Sequence, residues 1–172
     1  MQIVWNDNYS VGITELDEQH QLLIELANEL DIIQSSIKTI SYEKEIDQIL
    51  NEIKKHVLIN FTTEEVLMRM FEYDFFETHK FSHDKFLHIM TEHHKYIMEL
   101  MAKQKQIKDN KFDSEELERE INARVSKVTT FIQKSLINHF VKEDKEYSAF
   151  FIDIQNKAQK SSGWLSSLVG SK

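Results

Sequence analysis

From Ile13 to Ser162 the chain contains neither a glycine nor a proline. Gly12 precedes that stretch, Gly163 and Gly170 follow it, and proline is absent throughout. A β fold needs frequent tight turns, and tight turns draw on these two residue types. An uninterrupted run of this kind instead suits long helices with few connections, and 172 residues supply the core of one domain.

The apolar residues repeat by threes and fours, the period of an amphipathic helix. Thr14-Glu-Leu-Asp17 has capping-box spacing, so a first helix is expected to start near Thr14 to Asp17 and run to about Lys38. Its seam reads Leu16, His20, Leu23, Ala27, Leu30, Gln34, Ile37. The second, from near Ser41 to about Tyr73, carries Ile46, Leu50, Ile53, Val57, then Asn60 and Glu64, then Leu67 and Phe71. The third begins around Glu77, with Phe76, His79, His83, Phe86, Met90, His93, Ile97 and Leu100 along one face. A polar turn at Asp109 to Phe112 and a cap at Asp113-Ser-Glu-Glu116 introduce the fourth, with Leu117, Ile121, Val128, Ile132, Leu136, Phe140, Tyr147 and Phe151. Short connections between long helices make neighbours antiparallel. The expected fold is an all-α, up-down-up-down antiparallel four-helix bundle with an N-terminal arm over residues 1–158. A short C-terminal tail, 159–172, follows.

That topology gathers the polar seam residues. The start of helix one, the end of two, the start of three and the end of four share one end of a bundle. His20, Asn60, Glu64, His79, His83, His139 and Asp144 all come from that end. A carboxylate on a buried seam is costly unless it is paired or bound to a cation. His79 and His83 are spaced i, i+4, within reach of one ion, although that pair alone is a weak signal. His139 and Asp144, five apart, are offset around a helix and are expected to flank a seam. Imidazole with carboxylate and no thiolate suits iron, zinc, manganese or copper. His93 is too far along its helix to join, Glu65 is off the seam, and His88 and His94 are expected in solvent. The aromatics Phe71, Tyr73, Phe75 and Phe76 are expected to fill the bundle end, and Trp5 and Tyr9 to pack the arm over the site.

Other chemistries lack their residues. There is no cysteine, which excludes disulfides, thiolate metal sites and cysteine nucleophiles. A net charge of −8 with interspersed signs argues against nucleic acid or an anionic membrane as main partner. No stretch approaches transmembrane length and the N-terminus lacks a signal-peptide pattern, so a cytoplasmic protein is the default expectation. No Glu-x-x-His pair of the ferritin type, no HExxH, no P-loop and no GxGxxG occurs.

Three segments together resemble the hemerythrin family, specifically its bacterial hemerythrin-like members. WNDNYSVGITELDEQH (5–20) is similar to the family's N-terminal segment, FTTEEVLMRMFEYDFFETHKFSH (61–83) to its central signature, and HFVKEDKEY (139–147) to its closing one. The resemblance implies a non-haem di-iron protein that binds dioxygen reversibly for storage, delivery or sensing, and that is a binder, not an enzyme. It implies two iron ions beside an oxo or hydroxo bridge. His79, His83 and His139 would hold one, Glu64 and Asp144 would bridge both, and His20 would hold the second, where dioxygen binds. The family has a histidine where this chain has Asn60. The second iron would then lose an imidazole, with the Asn60 amide oxygen or water in its place and His56, on the flank, the less favoured substitute. The centre is thus expected to be intact on one side and weakened on the other, with one iron fully held. The alternatives are a metal-containing redox or oxygen sensor, or a degenerate bundle acting as an interaction module. A protein partner would be met through the tail around Trp164 and Leu165.

Overall fold

The computed structural model describes residues 2–36, 42–107, 111–154 and 157. Four helices follow one another: α1 (Thr14–Ser36), α2 (Glu43–Met70), α3 (Phe76–Gln106) and α4 (Lys111–Asn138). A π-helical turn, His139–Glu143, then leads into further α-helix over 144–154. Helix α1 packs on α2 and α4, and α3 packs on α2 and α4, so each helix meets its sequence neighbours and the ring closes between the last and the first. This is the expected all-α four-helix bundle. Among the described residues no helix is long and apolar enough to cross a membrane. The expected end of the first helix at Lys38, the boundary at 158 and the tail 159–172 lie outside the described residues.

The seams bury as their periodicity requires. Leu23, Ala27, Leu30, Leu50, Ile53, Val57, Val125, Val128, Ile132 and Leu136 are fully enclosed in one large cluster. Each of the larger aliphatic side chains stabilises the fold by about 1.5–3 kcal/mol relative to exposure. A second, small cluster of Val11, Leu16, Met68, Tyr73 and Tyr147 lies toward the end where the chain enters α1 and leaves α2. Buried acids and histidines fall between the two: His20 between Leu16 and Leu23, Glu64 between Phe61 and Met68, and Asp144 between Phe140 and Tyr147. His79 and His83 lie between Tyr73 and Phe86.

Several local expectations are corrected. Past Glu64 the α2 seam passes through Met68, fully buried, whereas Leu67 is half-buried and Phe71 is 41% exposed. Phe75 is 63% exposed, so of the four end aromatics only Tyr73 is buried. Thr14 and Asp17 do not form a capping box. The Asp17 carboxylate instead accepts from Ser10 Oγ at 2.6 Å and Val11 N at 2.7 Å, folding the arm back across the start of α1. Lys111 and Phe112, expected in a turn, are already helical.

The arm is fastened at further points. Asn28 exchanges two 2.8 Å hydrogen bonds with the Ile3 backbone, and Ser148 Oγ and Lys145 Nζ donate to the Val11 and Ser10 carbonyls. At the C-terminus of α2, Tyr73 N donates to Met68 O at 2.9 Å and Glu72 N to Arg69 O at 3.2 Å. This is a Schellman motif whose left-handed position is held by Glu72, φ 54°, instead of the usual glycine.

Candidate metal centre

Two carboxylates stand at the centre of the polar layer, and each faces two ways. Glu64 Oε1 lies 3.4 Å from His20 Nε2, while Glu64 Oε2 lies 3.1 Å from His83 Nε2 and 3.4 Å from His79 Nε2. Asp144 Oδ2 lies 3.5 Å from His20 Nε2, and Oδ1 lies 3.0 Å from His139 Nε2 and 3.5 Å from His79 Nε2. Ligand atoms of Glu64, His79, His83 and His139 fall within 4.8 Å of one another, as do those of His20, Glu64 and Asp144. The two groups share Glu64, and all six side chains are buried.

The π-helical turn explains how His139 and Asp144 join one cluster. Five residues of regular α-helix rotate a side chain by roughly 140°, which would set the pair on different faces. In the π turn the Asp144 N–H bonds to the His139 carbonyl, so five residues make about one turn. The expectation that the pair would flank a seam is therefore corrected.

The histidine tautomers are set from outside the cluster. His83 Nδ1 lies 3.0 Å from Glu65 Oε1, His139 Nδ1 lies 3.0 Å from Glu143 Oε2, and His20 Nδ1 lies 3.3 Å from the Tyr9 carbonyl. These partners only accept, so each ring donates from Nδ1 and its Nε2 is left with a lone pair when neutral. Yet the Nε2 atoms of His83 and His139 are 3.1 Å apart, and both face Glu64 Oε2. Converging lone pairs and carboxylate oxygens in a buried space repel unless a cation lies among them. Glu64 Oε2, His79 Nε2 and both Asp144 oxygens also lack hydrogen-bond partners. This donor set fits divalent metal ions.

The electrostatics point the same way. Burial pushes the Glu64 carboxyl up, but the imidazoles of His139, His20, His79 and His83 around it outweigh this and hold Glu64 well below the usual range. Burial pushes His139 down, and Asp144, Glu143 and Glu64 more than reverse this, raising it well above an ordinary imidazole. His139 is therefore held toward its protonated form beside these acids when no metal is bound. The rings are walled by aromatics: Phe61 stacks on His83 at 3.7 Å and Phe140 on His20 at 4.0 Å. Tyr147 is enclosed 5.4 Å from His79, and burial with the charges of Glu64 and Asp144 raises its hydroxyl well above the usual phenol.

Asn60 is fully buried, its Nδ2 donating to Gln19 Oε1 at 3.3 Å and its Oδ1 unpartnered. His56 is paired with Glu52 at 3.5 Å and is partly exposed. His93 packs at a tilt beside Phe131, with ring centroids 6.3 Å apart, outside the cluster. His94, expected in solvent, is instead mostly enclosed and bonded to Asp47 at 2.8 Å. Tyr9 does lie against the site, through its backbone carbonyl, and Trp5 packs on its ring. Glu65, Glu143 and Gln19 were not legible as site residues. The available signals were the i, i+4 step from His139 to Glu143 and the adjacency of Glu65 to Glu64 and of Gln19 to His20.

Comparison with known proteins agrees with this geometry. The model of the hemerythrin HHE cation binding domain matches residues 11–147. A bacteriohemerythrin of Clostridium acetobutylicum is 24% identical over 145 residues, 84% of this chain and 97% of that protein. One of Stenotrophomonas maltophilia is 30% identical over 91 residues, 53% of this chain and 57% of that one. A hemerythrin-like protein of Naegleria gruberi is 34% identical over 83 residues, 48% of this chain and 61% of its own.

Proposed function

This chain belongs to the hemerythrin family, and from that premise we propose that it is a non-haem di-iron protein that binds dioxygen reversibly rather than an enzyme. The observation that carries the reading is the two-way facing of Glu64 and Asp144. Each gives one oxygen to the side of His79 and the other to His20. In this reading His79, His83 and His139 would hold one iron, His20 would hold the other with Asn60 in place of a second imidazole, and Glu64 and Asp144 would serve both. A pair of ferrous ions, when bound, would supply the two electrons that dioxygen takes up on binding and gives back on release.

The chain's own residues do the rest. Glu65, Glu143 and the Tyr9 carbonyl keep the Nδ1 protons of three histidines, so each Nε2 faces inward as a bare donor. Phe61 and Phe140 fix the ring planes by stacking and exclude water. Tyr147 keeps its proton at Oη beside the carboxylates. The bundle, 1–158, carries this activity, and the tail, 159–172, is left for a protein partner.

The test is iron per chain on protein purified without oxygen, followed by a visible spectrum before and after dioxygen. Two irons and a reversible charge-transfer band are expected. Bleaching without recovery would favour a redox sensor, and protein that takes up no metal would favour an interaction module.

A further inference from the structure

We propose that Asn60 Oδ1 completes the position formed by His20, Glu64 and Asp144, making it an oxygen-rich site for a hard divalent cation beside an imidazole-rich one. The proposal rests on the two-metal reading above and names what differs between its halves.

The orientation of the Asn60 amide is dictated from outside. Gln19 Nε2 lies 3.3 Å from Glu15 Oε1 and 3.4 Å from Thr63 Oγ1. A carboxylate only accepts, and the Thr63 hydroxyl proton is already given to the Ile59 carbonyl at 2.9 Å. Both neighbours therefore require the NH₂ end of Gln19, which leaves Gln19 Oε1 for Asn60. Only the NH₂ end of Asn60 satisfies it, and it does so at 3.3 Å. The amide oxygen of Asn60 is left on the other side, fully buried with no donor to meet it. A buried carbonyl without a donor is costly. A cation relieves that cost, and Asn60 stands one helical turn from Glu64 on the same face.

The donor counts then diverge. One side has three imidazoles, from His79, His83 and His139, with carboxylate oxygen. The other has the single imidazole of His20 with oxygens from Glu64, Asp144 and Asn60. Imidazole-rich sets favour zinc, copper and iron, whereas carboxylate and carbonyl sets favour manganese and magnesium. Ferrous iron is accepted by both, so Zn²⁺ and Mn²⁺ are the probes that separate them. Gln19 is a positioning residue, acting through the amide it turns.

The experiment loads metal-stripped, full-length chain without oxygen with one equivalent of Zn²⁺ and then Mn²⁺, read by metal analysis and by the manganese EPR signal. One zinc and one manganese per chain are expected. Asn60→Ala should weaken manganese more than about tenfold and leave the first zinc in place, the retained zinc showing that the variant is folded. Asn60→His should admit a second zinc. Gln19→Leu should weaken manganese about tenfold in the native chain. It should have no effect in an Asn60→Asp background, because a carboxylate presents oxygen at either end. Manganese binding unchanged by Asn60→Ala, or two zinc ions held equally by the native chain, overturns the proposal and leaves the two-metal reading standing. A chain that takes up neither metal overturns both.

Discussion

Glu65 Oε1 holds the Nδ1 of His83 at 3.0 Å, from a helix position one residue after the carboxylate that His83 faces with its other nitrogen. Neighbouring residues on α2 thus grip both nitrogens of one ring. Glu64 and Glu65 are not redundant acids, because one faces the cation position and the other fixes the ring that serves it. Glu65→Ala is expected to weaken metal binding by about ten- to a hundredfold, and Glu65→Gln, which keeps an acceptor, by less. Competition with a chelator of known affinity measures the difference. Equal losses in the two variants would mean that charge, not the hydrogen bond, is what Glu65 supplies.

Metal removal should reduce stability. A ligand that binds only the folded state adds about 2.7 kcal/mol at a hundredfold excess over its dissociation constant. Thermal unfolding with and without chelator is expected to show a large fall in midpoint for the native chain. Glu64→Gln should largely abolish that dependence, because this one side chain faces all four histidines. A native midpoint indifferent to chelator would count against the metal-centre reading.

His93, remote from the cluster, gives a pH dependence of its own. Burial, with Lys127 and Arg124 nearby, lowers its pKa below 6.5. The unfolded chain therefore binds the proton more readily than the folded one. Stability from this group is fully present above its unfolded value and is lost as pH falls through the folded one. Urea midpoints of native chain and His93→Phe, compared from about pH 7 down to about pH 5, should show the native chain losing more. Parallel curves would remove His93 from the account.

Glu72 is expected to be a poor choice for its backbone. A side chain in the left-handed region costs about 1–2 kcal/mol, partly offset by the entropy a glycine loses on folding. Glu72→Gly should stabilise the fold by about 0.5–1 kcal/mol in urea unfolding. Destabilisation would show that the Glu72 side chain makes a contribution larger than its strain.

The seam residues were legible because burial follows the helical period and few breakers interrupt it. Leu23, Leu30, Ile53 and Ile132 lie where a step of three or four places them. The convergence of His20, Glu64 and His79 followed from topology alone. His139 and Asp144 were gathered to the same end, but their facing did not follow, because a π turn inserts a residue that no local periodicity signals. The roles of Glu65, Glu143 and Gln19 were hidden for another reason. Polar residues on a helix flank look alike in sequence whether they meet water or the back of a histidine ring.

The polar layer divides the apolar interior into two very unequal parts. The larger, running from Leu23 and Ile46 to Ile132 and Leu136, has ample buried surface to hold together without any ion. The smaller, Val11 and Leu16 with Met68, Tyr73 and Tyr147, is joined to it across facing acids and imidazoles. Without a cation that junction is expected to open more easily than the large cluster. The bundle is therefore expected to hold together without the ion, and bound metal to make its end harder to open. Amide exchange in the stripped protein should then be fast above the layer, at Leu16, Met68 and Tyr73, and slow below it.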